Sequence, residues 1–129
     1  MIKKFLIDDY VNVNSKRFAL NLNVYRNAHY QVLNNAKKNF KQMLYANYPE
    51  LMTITAQRVR VSYNVIPCDN RKFDLMNVIA IVDKFFMDAL VNAGCIPDDS
   101  TDYVLYDRIY ASIKQGNDCK KIEIKCNFF

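Results

Sequence analysis

Only two glycines and three prolines punctuate this chain, and it holds a single histidine, His29. So little Gly and Pro, beside 51% hydrophobic and 13% aromatic residues, excludes a low-complexity or disordered polypeptide. No apolar run is long enough to cross a bilayer. The longest mostly apolar stretch, Val78 to Val91, is broken by Asp83, Lys84 and Asp88, whereas a spanning helix needs about 20 apolar residues. Met1 to Tyr10 reaches Asp8 and Asp9 before a signal-peptide core can form. A cytoplasmic location without membrane attachment is therefore expected. The four cysteines, Cys68, Cys95, Cys119 and Cys126, form no CxxC pair and no zinc-like spacing with His29. They read as reduced packing residues.

At 129 residues and 15.1 kDa the chain has the size of one domain with a real core, residues 1–129. Ile2 to Ile7 reads as a strand, and the Asn-rich stretch Asn12 to Asn27 as a long loop or irregular extension. From Ala28 to Tyr48 the residues Val32, Leu33, Ala36, Phe40, Met43 and Leu44 recur at helical spacing, with Lys37, Lys38 and Lys41 between them. Val59, Val61, Tyr63 and Val65 alternate with polar neighbours within Gln57 to Ile66, the period of a half-buried strand. After a turn over Cys68 to Phe73, a second helix is expected from Asp74, a good N-cap, to Ala93, closed by Gly94. Tyr103 to Lys114 and Lys120 to Phe129 read as two strands joined by a turn through Gly116-Asn117. The expected fold is α/β or α+β, a single small domain with one mixed sheet packed against two main helices.

Eighteen Lys and Arg stand against thirteen Asp and Glu, a formal charge of +5 with pI near 9.0. That balance favours an acidic partner, and nucleic acid is the commonest. Against it, carboxylates are concentrated in the second half, at Asp74, Asp83, Asp88 and Asp98-Asp99. On a wheel of about 100° per residue, Asn77, Lys84 and Asp88 fall within about 80° of Asp74, and Asp83 about half a turn away. Such a stripe also describes a solvated helix face. Gathering of Asp74 with Asp98-Asp99 would need the strand after Asp99 to return beside Asp74. Carboxylates so gathered repel by on the order of several kcal/mol at low effective dielectric. A divalent cation such as Mg²⁺, which takes hard oxygen ligands, removes that cost.

Asp74-Leu75-Met76-Asn77, then Lys84, Asp88-Ala89-Leu90, Ala93-Gly94 and Ile96-Pro97-Asp98-Asp99, resembles the signature of RusA-type Holliday junction resolvases, small endonucleases carried largely by phages and prophages. The likeness runs from about Val59 to the C-terminus. Asn21-Leu22-Asn23-Val24-Tyr25-Arg26 also looks like that family's Asn-rich substrate loop. The resemblance implies a RusA-like fold and a homodimer, in the cytoplasm of a bacterium or phage-infected host. It also implies binding of four-way or branched DNA and symmetric cleavage with Mg²⁺, for which Mn²⁺ can substitute.

Carried over by position, Asp74 is the first motif aspartate, Asn77 the asparagine, Lys84 the helix lysine that steadies the scissile phosphate, and Asp99 the distal metal ligand with Asp98 beside it. Two departures stand out. Met76 occupies the place of the second motif aspartate, and Asn77 lies four residues further from Lys84 than in the family pattern. Asp83 or Asp88 is left to supply the missing carboxylate. Candidate phosphate contacts are Arg58, Arg60, Lys37, Lys38, Lys41, Arg71 and Lys72, with Asn21, Asn23, Arg26 and Asn77 on the substrate side. Tyr25, Tyr30 and Phe73 have rings suited to stacking on opened bases. Two other readings compete: a branched-DNA-binding protein of the same fold that cuts weakly or not at all, and a small cytosolic interaction protein whose acids are solvated surface.

Overall fold

The alternating N-terminal run forms strand β1 (Ile2–Asp8) and buries Phe5 and Ile7, in a computed structural model that describes all 129 residues. The next segment departs from expectation. Asn12 to Asn27 is no loop: it supplies a hairpin of β2 (Tyr10–Val13) and β3 (Lys16–Ala19), then a short helix α1 (Leu22–Asn27). Its turn places Asn14 and Ser15 at φ 52° and 65°, the positive-φ pair of a type I′ connection. Val11, Val13 and Phe18 are buried by the strand alternation around it. Asn21 starts α1, its Oδ1 accepting from the Val24 N–H at 2.9 Å.

Helix α2 (Tyr30–Asn47) buries Ala36, Phe40 and Leu44 at helical spacing and gives way to a 3₁₀ turn at Pro49–Thr53. Strand β4 (Val59–Ile66) leads to helix α3 (Leu75–Asn92). Asp74 caps α3 by accepting from the Met76 N–H at 3.1 Å, and Gly94 terminates it at φ 81°. Strands β5 (Val104–Ala111) and β6 (Lys121–Phe128) complete the chain.

The main sheet has the order β1-β6-β4-β5, with β4 and β5 parallel and the other neighbours antiparallel. The turn through Gly116-Asn117 therefore does not close a hairpin. Strand β4 lies between β5 and β6, and the connection crosses its end, held by Ser112 N–H to Val65 O at 3.0 Å and Gln115 N–H to Pro67 O at 2.9 Å.

Helices α2 and α3 cover one face of this sheet, enclosing a single core of 31 buried side chains that includes Tyr63, Phe5, Phe40, Phe85 and Phe86. The fold is a mixed α+β domain, as expected, with the hairpin and α1 added. Cys95, Cys119 and Cys126 are buried and Cys68 half-buried, and all four are unpaired thiols. Burial pushes the Cys95 and Cys119 thiols up to about 11. No helix is long and apolar enough to cross a membrane. Because β4 and β5 are parallel, α3 runs back between them. Its N-terminus lies near the end of β4 and its C-terminus near the start of β5.

Candidate functional site

Helix α3 carries its acids at three stations. In its middle, Asp83 turns toward the sheet. Tyr63 of β4 donates to Asp83 Oδ1 at 2.5 Å, and Tyr106 of β5 donates to Oδ2 at 2.6 Å. Burial pushes the Asp83 carboxyl above its ordinary value, the hydrogen bonds from Tyr106 and Tyr63 oppose that, and the like charge of Asp99 adds to it. Both phenols are raised in turn, Tyr106 and Tyr63 alike first by burial and then by the carboxylate they face. The charge of Asp99, sixteen residues further along the chain, is the smallest of these influences on Asp83.

At the C-terminal station Asp88, Asn92, Asp98, Asp99 and Lys41 line an open cleft of about 290 Å³. Asp98 and Asp99 are exposed there, in the turn after Gly94. Asp88, Asp98 and Asp99 therefore border one cleft at this end of the helix. Lys84 is exposed on the outward side of the helix and makes no ion pair.

Asp74 stands apart. Asp83 is nine residues and Asp88 fourteen residues beyond it, about 13 and 21 Å at about 1.5 Å of helical rise per residue. Two ligands of one Mg²⁺ each lie about 2.1 Å from the ion. The expected return of the chain after Asp99 to Asp74 does not occur within one subunit, because β5 starts at the far end of α3 and pairs parallel to β4. No three His, Cys, Asp or Glu side chains gather into a metal-sized group. Asp74 lies instead in a polar cleft of about 200 Å³ with Asn77, Asn21, Asn23, Lys120 and Asp9. Burial raises the Asp9 carboxyl, against the pull of Lys120.

The proposed DNA contacts divide between free and occupied groups. Arg26, Lys38 and Lys72 are exposed without ion pairs, whereas Arg71 is held by Asp69 at 2.8 Å. Tyr25 packs edge-on against Phe85 with ring centroids 6.5 Å apart and the Lys37 ammonium over its face. Phe73 lies beneath the Lys120 ammonium at 4.9 Å. Tyr63, Tyr106, Asp9 and Lys120 were not singled out by sequence. Their signal was faint: a tyrosine on the inward register of each of two strands, across from a helix acid.

On the opposite face of the sheet, Ser62, Asn64, Asp107, Arg108, Glu123 and Lys125 border a polar hollow of about 210 Å³. Asn64 is buried there, and its Oδ1 has no hydrogen-bond partner in the protein.

No protein-family model matches this chain, and no curated protein matches it.

Proposed function

We propose that this protein is a Mg²⁺-dependent, structure-selective endodeoxyribonuclease that cuts four-way or branched DNA symmetrically as a homodimer. One observation carries the reading: Asp88, Asp98 and Asp99, from the last turns of α3 and the turn beyond it, line one open cleft in a chain of charge +5. Carboxylates kept this close cost free energy unless a proton or cation offsets their repulsion. The donors suit an ion held by one or two carboxylates, with water and phosphate oxygens completing its shell, and do not suit a three-carboxylate cage. Asp99 and one of Asp83 and Asp88 are the residues to hold it. When bound, such an ion activates water and neutralises charge on the leaving oxygen.

The remaining chemistry falls to the chain's own groups. Tyr63 and Tyr106 fix both oxygens of Asp83, so its carboxylate is oriented before any substrate arrives. Lys41 on the cleft wall and exposed Lys84 attract the phosphodiester. The amides of Asn21, Asn23 and Asn77 with Lys120 provide donors for a strand passing the N-terminus of α3.

The test is cleavage of a labelled four-way junction beside a linear duplex, with Mg²⁺ or EDTA, for the wild type and for Asp99→Asn, Asp83→Asn and Asp74→Asn. Paired, Mg²⁺-dependent nicks in the junction, lost by a factor of at least about 100 in Asp99→Asn with junction binding kept, are the expected result. Asparagine preserves a helix cap, so Asp74→Asn is expected to stay folded. Loss of cleavage in that variant would move the site to one shared between subunits. Absence of nicks from the wild type with any divalent metal would overturn the nuclease reading.

A second reading, junction binding without cleavage, draws on Met76. It stands exposed at the place of the second motif aspartate, and no third carboxylate replaces it. Tight junction binding with no nicks would select it.

A further inference from the structure

The two edges of the main sheet are not alike. At β1 the outward backbone groups of Leu6 are already used: its N–H donates to the Tyr48 hydroxyl at 2.8 Å, and that hydroxyl donates to the Leu6 carbonyl at 3.3 Å. Strand β5 has β4 on one side and nothing on the other. Its eight residues expose Tyr106 by 52% and Leu105 by 36%. An open edge of this kind is a template for pairing unless something restricts it.

What restricts it here is the order of its side chains. Read from either end, Val104-Leu105-Tyr106-Asp107 and Arg108-Ile109-Tyr110-Ala111 mirror one another in chemistry. If two copies of β5 run antiparallel about a two-fold axis between Asp107 and Arg108, Asp107 of each meets Arg108 of the other. Tyr106 then meets Ile109, Leu105 meets Tyr110, and Val104 meets Ala111. Aromatic–aliphatic and opposite-charge pairs are favourable cross-strand neighbours. Neither Asp107 nor Arg108 has an ion-pair partner within the subunit.

A regular strand would forbid this register. Directly opposed residues in an antiparallel pair share a face, while adjacent residues along a strand point to opposite faces. Asp107 and Arg108 escape the rule. The β4–β5 pairing has an irregularity there, with Tyr106 opposite Val61 and Arg108 opposite Ser62, so that Asp107 is an extra residue. Both side chains consequently border the hollow on the outer face. On the inner face, Tyr106 reaches Asp83, and Ile109 packs against the core. The bulge brings the two halves of the strand into matching orientation.

The geometry points to β5 as a self-complementary dimer interface, joining two four-stranded sheets through antiparallel β5 strands centred between Asp107 and Arg108. This names the surface for the homodimer proposed above but does not depend on that dimer cutting DNA. Isologous contacts of this form close on themselves and do not propagate.

The experiment needs no DNA: sedimentation of the full chain as wild type, Asp107→Arg, Arg108→Asp, the double exchange, and an equimolar mixture of the two single variants, with circular dichroism as a folding check. Wild type is expected to be a dimer. Each single variant sets like charges opposite in both pairs and is expected to dimerise at least about tenfold more weakly, a loss of about 1.4 kcal/mol. The mixture is expected to recover a dimer containing both chains, and the double exchange a homodimer. A monomeric wild type, folded single variants that dimerise as the wild type does, or a mixture that stays monomeric would each overturn the proposal.

Discussion

Asp83 shows how much one side chain owes to its surroundings. On an ideal wheel it lies off the polar stripe of its helix, which counts against a role for it. The structure uses that orientation: two strand tyrosines meet it at 2.5 and 2.6 Å. Its folded-state titration lies above the ordinary carboxylate value, burial being the largest cause. A carboxyl raised in this way binds its proton more tightly in the native state. It contributes stability below the unfolded value, and that contribution is lost as pH rises through the raised one. Carbon-detected NMR of the Asp83 carboxyl is expected to give a midpoint above the ordinary carboxylate value. Tyr106→Phe should move it higher, because the lost hydrogen bond favours the charged form. A midpoint at or below the ordinary carboxylate value would mean that the two tyrosine hydrogen bonds outweigh burial at Asp83. Neither tyrosine was legible as its partner, since strand alternation tells only that both point inward.

At the scale of elements, α3 follows its sequence closely. Asp74 caps it and Gly94 ends it, both set by local backbone chemistry. A Cβ at Gly94 would meet no atom within 4 Å, yet the residue sits at φ 81°. Gly94→Ala is therefore expected to cost about 1 to 2 kcal/mol through backbone strain alone, read from urea unfolding. An unchanged midpoint would mean that the turn relaxes freely. The hairpin β2–β3 was missed because Asn14-Ser15 lacks the Asn-Gly sequence by which such turns are recognised. The error at β5 and β6 is of another kind. The two strands were expected to follow one another through a turn, but insertion of β4 between them depends on a strand far earlier in the chain.

For the whole molecule, a charge of +5 sits beside a local excess of carboxylates along α3 and the turn that follows it. If the basic residues serve DNA, affinity for a junction should fall linearly with the logarithm of salt concentration. Lys41→Ala, on the wall of the acidic cleft, is expected to weaken binding similarly for junctions of any sequence and to reduce the salt slope by about 1. A slope unaltered in this variant would place the strand elsewhere. The same charge distribution bears on the sheet edges. Tyr48 occupies the Leu6 backbone groups on one edge, while the other carries a single acid and a single base at its centre, so charge selects the partner and its register.

The sequence alone determined the two long helices, the cap and stop of α3, β1, β4 and the positions of β5 and β6, and the set of acids worth watching. Each of these follows from neighbours within a few residues, where periodicity and capping act. Only the tertiary structure decided that Asp88, Asp98 and Asp99 border one cleft while Asp74 stays at the other end of α3, that β4 separates β5 from β6, and that β5 is left with an open side. The reason is physical: these outcomes depend on which strand pairs with which. Pairing is decided by burying one shared core of residues from the whole chain, not by any segment's own preference.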